Sequence, residues 1–247
     1  VVIDSTDDLS GLTRNLAMAL SLYSGQMCTA PQNIFVPRAG IKAAGEAVSF
    51  DDVLTAITKA VDDLLSAPER AVEVLGAIAS DATVSRIDAQ GAQSGIALAS
   101  KTIPHPQFPD ARIRTPIVAR LEATDEERYS GEMFGPIAFV IATDSTEQSL
   151  ELATKGARRC GAITAMLYST DPAIVGKAED FAADAGVSLA INLTGPLLVN
   201  QSAAFSDYHV SGANPAGNAS LTDAAFVAGR FRITQTRTVV PGPASAS

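Results

Sequence analysis

The sequence predicts an α/β fold of three layers, an open and mostly parallel twisted sheet with helices on both faces. Two observations carry that prediction. Apolar stretches of strand length recur through the second half of the chain, at residues 113–121, 137–142, 163–168 and 189–193. Between the last three lie stretches of helical spacing, 145–158 and 173–185, long enough to cross back over a sheet and so to join parallel strands.

Each element has a local reason. Residues 1–3, Val-Val-Ile, read as a short strand, and Ser5, Thr6, Asp7 and Asp8 then offer helix N-caps. Leu9, Leu12, Leu16, Ala19, Leu20 and Tyr23 share one helical face, so a helix runs to about Ser24, where Gly25 stops it. Cys28 follows in the turn before a strand at 33–36, which Pro37 closes. Over 51–66, Val53, Leu54, Ile57, Val61 and Leu64 form an apolar face, with Asp62 and Asp63 outside. Helical patterns continue at 68–79 and 82–90, a short strand lies at 96–99, and a proline-rich loop spans 104–109. Gly186 ends the helix at 173–185. Residues 194–220 lack periodicity and read as a long loop of functional interest. A short helix near 221–228 leads to a β-branched, polar strand at 231–240 and a frayed tail. The expected division is therefore one body over 1–230 and a strand-and-tail arm over 231–247.

Composition removes several function classes. The 247 residues, 47% hydrophobic and 18% charged, suffice for one sizeable core. The net charge is −9, the pI is about 4.7, and the Lys and Arg form no basic stripe, which argues against nucleic acid as a partner. No apolar run approaches the roughly 20 residues of a membrane span, and the first residues do not read as a signal-peptide pattern. Two cysteines are too few for a disulfide framework and point to a reducing cytoplasm. Two histidines, without Cys/His spacing, supply neither a metal cage nor a histidine-activated hydroxyl. Because the chain opens on a strand-like Val-Val-Ile, it is expected to be a piece cut from a larger protein.

Two constellations could carry chemistry. The first is Gly25-Gln26-Met27-Cys28, which puts a thiol in a turn that a substrate can approach, with backbone N–H groups near enough to hold an oxyanion. The carboxyl end of the preceding helix should not favour a thiolate, and a buried packing cysteine is the competing reading. The second is Glu132-Met133-Phe134-Gly135-Pro136, an acid and an aromatic in a turn directly before an apolar strand. A carboxylate can accept from two neighbouring sugar hydroxyls and an aromatic can cover a flat heterocycle. A solvated glutamate beside a core phenylalanine would read the same way, and ligands in α/β sheets favour the other, carboxyl ends of strands.

Together, Gly-Gln-x-Cys at the end of a long helix and Glu-x-Phe-Gly-Pro about a hundred residues later resemble the aldehyde dehydrogenase superfamily. Residues 1–8, 115–140, 161–169 and 189–193 also resemble the family's segments, in family order. Cys-Thr-Ala-Pro-Gln-Asn at 28–33, with Asn200 to Phe205 followed by Gly212-Ala213-Asn214-Pro215, resembles its phenylacetate-degradation (PaaN) branch, the second stretch standing where the family usually has a segment rich in Lys, Ser, Gly and Arg-Glu.

The resemblance implies that Cys28 attacks an aldehyde, assisted by its own backbone N–H, and that hydride passes to NAD or NADP, leaving a thioester for water to hydrolyse. It also implies that Glu132 accepts from the nicotinamide-ribose hydroxyls and that Phe134 lies near the nicotinamide. The family's general base, in a Glu-Leu-Gly-Gly segment, its oxyanion asparagine and its nucleotide-binding domain would lie outside this chain, which alone would then bind NAD weakly and not turn over. The implied partners are a small-molecule aldehyde, that nucleotide-binding domain and a second copy of the protein. Two other readings stay open: an acylating or reducing enzyme that hands the thioester to coenzyme A, and a non-catalytic assembly module built on the strand at 231–240. Cys160 and His105 are expected to be structural. Glu122, Glu126 and Glu127 are expected to form a solvated loop face. His209 could approach substrate from the long loop, and Asn192 is given a supporting role at a strand end.

Overall fold

Cap residues and glycines delimit the elements much as their chemistry requires. The structure is a computed structural model and describes residues 1–195. In chain order its strands are β1 (Val2–Ile3), β2 (Ser5–Thr6), β3 (Asn33–Pro37), β4 (Ile41–Ala43), β5 (Glu46–Val48), β6 (Ile96–Leu98), β7 (Thr102–Ile103), β8 (Ile113–Arg114), β9 (Ile117–Glu122), β10 (Ile137–Thr143), β11 (Thr164–Tyr168) and β12 (Ser188–Ile191). Its helices are α1 (Leu9–Ser21), α2 (Phe50–Leu64), α3 (Pro68–Val74), α4 (Asp81–Gly91), α5 (Glu126–Tyr129), α6 (Thr146–Cys160) and α7 (Pro172–Ala185). Of the four N-cap candidates before α1, Asp8 is used, accepting from Gly11 N at 2.7 Å. Ser49, Ser80, Ser145 and Asp171 cap α2, α4, α6 and α7. Gly186 ends α7 in the left-handed conformation.

The main sheet has seven strands in the order β12-β11-β1-β3-β10-β9-β6. All of its pairings are parallel except that of β6 with β9. The β10 strand is buried along its whole length because both of its faces are covered. Ala138, Val140 and Ala142 pack with Leu12, Leu16, Val53 and Ile57 of α1 and α2. Ile137, Phe139 and Ile141, pointing the other way, pack with Ile87, Leu150, Ala178 and Phe181 of α4, α6 and α7. The three predicted layers are therefore present.

The apolar run at 113–121 is not one strand. It breaks at Thr115-Pro116 into β8, which pairs with β7 in a separate two-stranded sheet, and β9, which joins the main sheet. Proline supplies no N–H for a ladder, and Thr115 N donates instead to Lys101 O at 2.9 Å. The small sheet β2-β4-β5 has no counterpart in the sequence reading; its hairpin turns at Ala44 and Gly45, both at positive φ. The expected long loop, the elements from 221 onward and the boundary at 230 lie outside the described residues. Among the described residues no helix is long and apolar enough to cross a membrane.

Candidate active site

Because β1, β3, β9, β10, β11 and β12 run in one direction, the segments entering β3 and β10 meet at the amino edge of the sheet. Cys28 stands on the first of these segments, Glu132 and Phe134 on the second. α1 ends at Ser21, three residues before the sequence suggests, and Tyr23 and Ser24 turn the chain with φ of 52° and 54°. That left-handed pair is strained for non-glycine residues, and its surroundings hold it. The Ser24 hydroxyl proton is shared between Gly76 O (2.9 Å) and Arg114 O (3.1 Å), and Gln26 Nε2 donates to Tyr23 O (2.9 Å) and Ala77 O (3.2 Å). Cys28 lies beyond these anchors in its own turn, closed by Ala30 N donating to Met27 O at 3.0 Å, and it is exposed and in no disulfide. Its separation from the end of α1 weakens the objection from the helix dipole, which fades within the last turn.

The two motifs touch through backbone. Gly25 has φ +63°, and a Cβ there would lie 2.7 Å from Gly135 O and 2.8 Å from Pro136 Cα. Only glycine allows that approach. Gly135 itself, at φ +135°, sits against the Thr83 methyl of α4, and Arg86 Nη1, one turn along, donates to Phe134 O at 2.6 Å. From the β3 side, Gln32 Nε2 donates to Gly131 O (2.9 Å) and Tyr129 O (3.2 Å), while its Oε1 accepts from Met133 N (2.6 Å). Asn33 Nδ2 adds a bond to Tyr129 O at 2.9 Å. The backbone of the acid-aromatic turn is thus held from three directions. Its side chains are not: Glu132 is exposed, with no ion pair or side-chain hydrogen bond among the described residues, and Phe134 keeps 43% of its surface exposed. An uncommitted carboxylate and an open aromatic on a fixed backbone suit the binding of hydroxyls beside a flat ring.

The other sequence candidates fall elsewhere. Asn192 ends β12 at the opposite, carboxyl edge, and its amide is spent on Ser169, accepting from Ser169 N (3.0 Å) and donating to Ser169 O (2.8 Å). The supporting role expected of it is therefore corrected to a structural one. Cys160 Sγ donates to Ser130 O at 2.9 Å from the end of α6, and His105 Nδ1 accepts from Gln107 N (3.1 Å) and Phe108 N (3.2 Å), which organises the proline-rich loop. Glu126 and Glu127 are not in a loop but begin α5. The Glu126 carboxyl, bonded by Lys155 at 2.7 Å and with Arg159 at 3.5 Å, is held below its ordinary pKa, first by the Lys155 hydrogen bond. Glu122 pairs with Arg38 at 2.6 Å. His209 lies outside the described residues. Among the described residues no group of three or more His, Cys, Asp or Glu could hold a metal ion. The residues missed from sequence are Gln32, Asn33 and Arg86. Their one signal was amide and guanidinium side chains placed where the chain enters a buried strand or faces it.

Comparison with known proteins bears on the family and the fold. The aldehyde dehydrogenase family matches residues 1–213. The crystal structure of an NAD-dependent aldehyde dehydrogenase from Burkholderia multivorans is 56% identical, with a TM-score of 0.84 over 98% of this chain and 43% of its own. An indole-3-acetaldehyde dehydrogenase of P. syringae, solved with NAD+, is 19% identical with a TM-score of 0.55 over 77% of this chain and 37% of its own. Proline utilization A of Bradyrhizobium japonicum is 18% identical, with a TM-score of 0.56 over 81% of this chain and 19% of its own. At that identity the last two show a shared fold only. A search of curated proteins gave no match. This chain, which spans less than half the length of the Burkholderia enzyme, belongs to the aldehyde dehydrogenase family.

Proposed function

We propose that this chain is the cysteine-bearing catalytic part of an NAD(P)-dependent aldehyde dehydrogenase. The observation that supports it best is the backbone contact of Gly25 with Gly135 and Pro136, which makes the thiol turn and the acid-aromatic turn parts of one surface. Cys28 Sγ bonds to the aldehyde carbon, and the carbonyl oxygen takes up the electron pair to give a thiohemiacetal, with the Cys28 backbone N–H as its donor. Glu132 and Phe134 hold and orient the nicotinamide end of the dinucleotide. When bound, NAD or NADP supplies the hydride acceptor that this chain's side chains cannot provide. Cys28 then retains the acyl group as a thioester until water releases the acid and the thiol is restored. The base for that hydrolysis is assigned to residues outside these 247, together with the nucleotide-binding domain and a partner copy of the protein.

The substrate is an aldehyde from aromatic-acid breakdown, a reading supported by the stretches at 28–33, 200–205 and 212–215 that resemble the phenylacetate-degradation branch. Cytoplasmic location fits two cysteines that form no disulfide. The test is aldehyde-dependent formation of reduced nicotinamide by the complete gene product. The Cys28→Ser variant should lose about a thousandfold or more in kcat, as expected when a covalent nucleophile is removed, and retained activity would overturn the reading. Aromatic and aliphatic aldehydes compared side by side test the substrate class. Product analysis with and without coenzyme A separates release by water from release by a thiol.

A further inference from the structure

We propose that Gln32 is a positioning residue that sets the place of Glu132 and ties the cofactor-binding turn to the cysteine turn. The proposal rests on the reading of Glu132 as a cofactor contact. Among the described residues Glu132 has no side-chain partner, so its location is decided by its backbone, and one amide holds the residue on each side of it. Gln32 Nε2 donates to Gly131 O at 2.9 Å, and Gln32 Oε1 accepts from Met133 N at 2.6 Å. A side-chain amide offers both donors and an acceptor in a fixed plane, and few other side chains could serve a carbonyl and an N–H two residues apart at once. A further bond from Nε2 to Tyr129 O, at 3.2 Å, extends the clamp to the end of α5.

The position of Gln32 gives the clamp its function. It stands four residues after Cys28, immediately before β3, and its own carbonyl accepts from Phe139 N of β10 at 2.7 Å. Its main chain is therefore fixed by the sheet while its side chain holds the neighbouring turn. Gly25 meets Gly135 on one side of the cysteine and Gln32 holds 131–133 on the other, so Cys28 lies between two links to the same turn. A shift of Glu132 is then resisted by the segment carrying the nucleophile, which keeps cofactor and thiol in register.

The experiment compares Gln32→Met, Gln32→Glu, Glu132→Gln and the double variant Q32M/E132Q in the complete gene product. Gln32→Met matches the side chain in length without hydrogen-bonding groups. It should raise the KM for NAD about tenfold, the size of one or two lost hydrogen bonds. The KM for the aldehyde and the rate of Cys28 alkylation by iodoacetamide in the absence of NAD should stay within twofold. Gln32→Glu keeps the acceptor for Met133 N and sets a carboxylate against two carbonyl oxygens; it should show the same split, and it carries the test if Gln32→Met does not fold. In the E132Q background the effect of Gln32→Met on the KM for NAD should largely disappear, because Gln32 acts through Glu132. Equal losses in all three readouts, or an undiminished effect in the double variant, would overturn the proposal. If Glu132→Gln itself leaves the KM for NAD unchanged, the reading of Glu132 fails and the clamp fails with it. If Glu132→Gln raises that KM and neither Gln32 variant does, only the clamp fails.

Discussion

A methyl group on Gly25 would fall 2.7 Å from Gly135 O and 2.8 Å from Pro136 Cα, on a backbone at φ +63° that disfavours any side chain. Both neighbours are main chain and cannot rotate away, so Gly25→Ala should cost about 1–3 kcal/mol by strain and forced displacement. Denaturant unfolding measures that loss. The same variant should also slow turnover beyond what its stability explains, since it separates the two turns. Cys160 provides the contrast: its thiol faces the Ser130 carbonyl from the end of α6, so Cys160→Ser should keep full activity, unlike the large loss expected of Cys28→Ser. The identities of Cys28, Glu132 and Phe134 as candidates were legible because glycine and proline beside them announce turns before apolar strands. Gln32 was not, because an amide before a strand has no periodicity and acquires meaning only from a partner about a hundred residues away.

Elements in this chain are joined by surface charge as well as by the core. The short helix α5 reaches α6 through Glu126, which meets Lys155 at 2.7 Å and Arg159 at 3.5 Å. The folded carboxyl titrates below its ordinary 4.5, held down first by the Lys155 hydrogen bond, so its contribution to stability is present above pH 4.5 and is lost as pH falls through the folded value. Glu126 is half-buried at the surface and its exposed partners are screened by water and salt, so the contribution is small. Glu126→Gln should lower the melting temperature slightly at neutral pH and low salt. The difference from the parent should close on acidification below pH 4.5 and in molar salt, both read by thermal melts. The run at 113–121 shows why elements were less legible than residues. Hydrophobic pattern alone reads it as one strand, and only Pro116 and the partners available on each side divide it between two sheets.

At the scale of the whole molecule, one buried phenol joins three parts of the fold. Tyr168, at the end of β11 and fully buried, has its single hydroxyl proton within reach of Asn15 Oδ1 of α1 at 2.9 Å and Leu193 O beyond β12 at 2.7 Å. Burial raises its pKa well above the ordinary 10.0. The folded state therefore favours the neutral phenol. Its contribution is present below pH 10.0 and is lost as pH rises from there toward the folded value, because only the unfolded chain ionises readily. Tyr168→Phe should cost about 1–3 kcal/mol at neutral pH by removing the hydrogen bond of a buried hydroxyl. The gap from the parent should narrow above pH 10.0, as measured by unfolding at a series of pH values.

The three-layer architecture, most element positions and the family resemblance follow from the sequence by itself. Apolar spacing, caps and glycine stops are local properties that each segment carries wherever it packs. Only the tertiary structure decided that the two motifs share the amino edge of the sheet, that Asn192 stands at the opposite edge, and that Glu126 belongs to an ion-paired helix. The physical reason is that parallel order converts chain position into an edge of the sheet. Which edge a residue occupies, and which backbone it meets there, depends on strands far away in sequence. Gly25 and Gly135 lie about a hundred residues apart, and their contact comes from β3 and β10 pairing in register, Asn33 opposite Phe139.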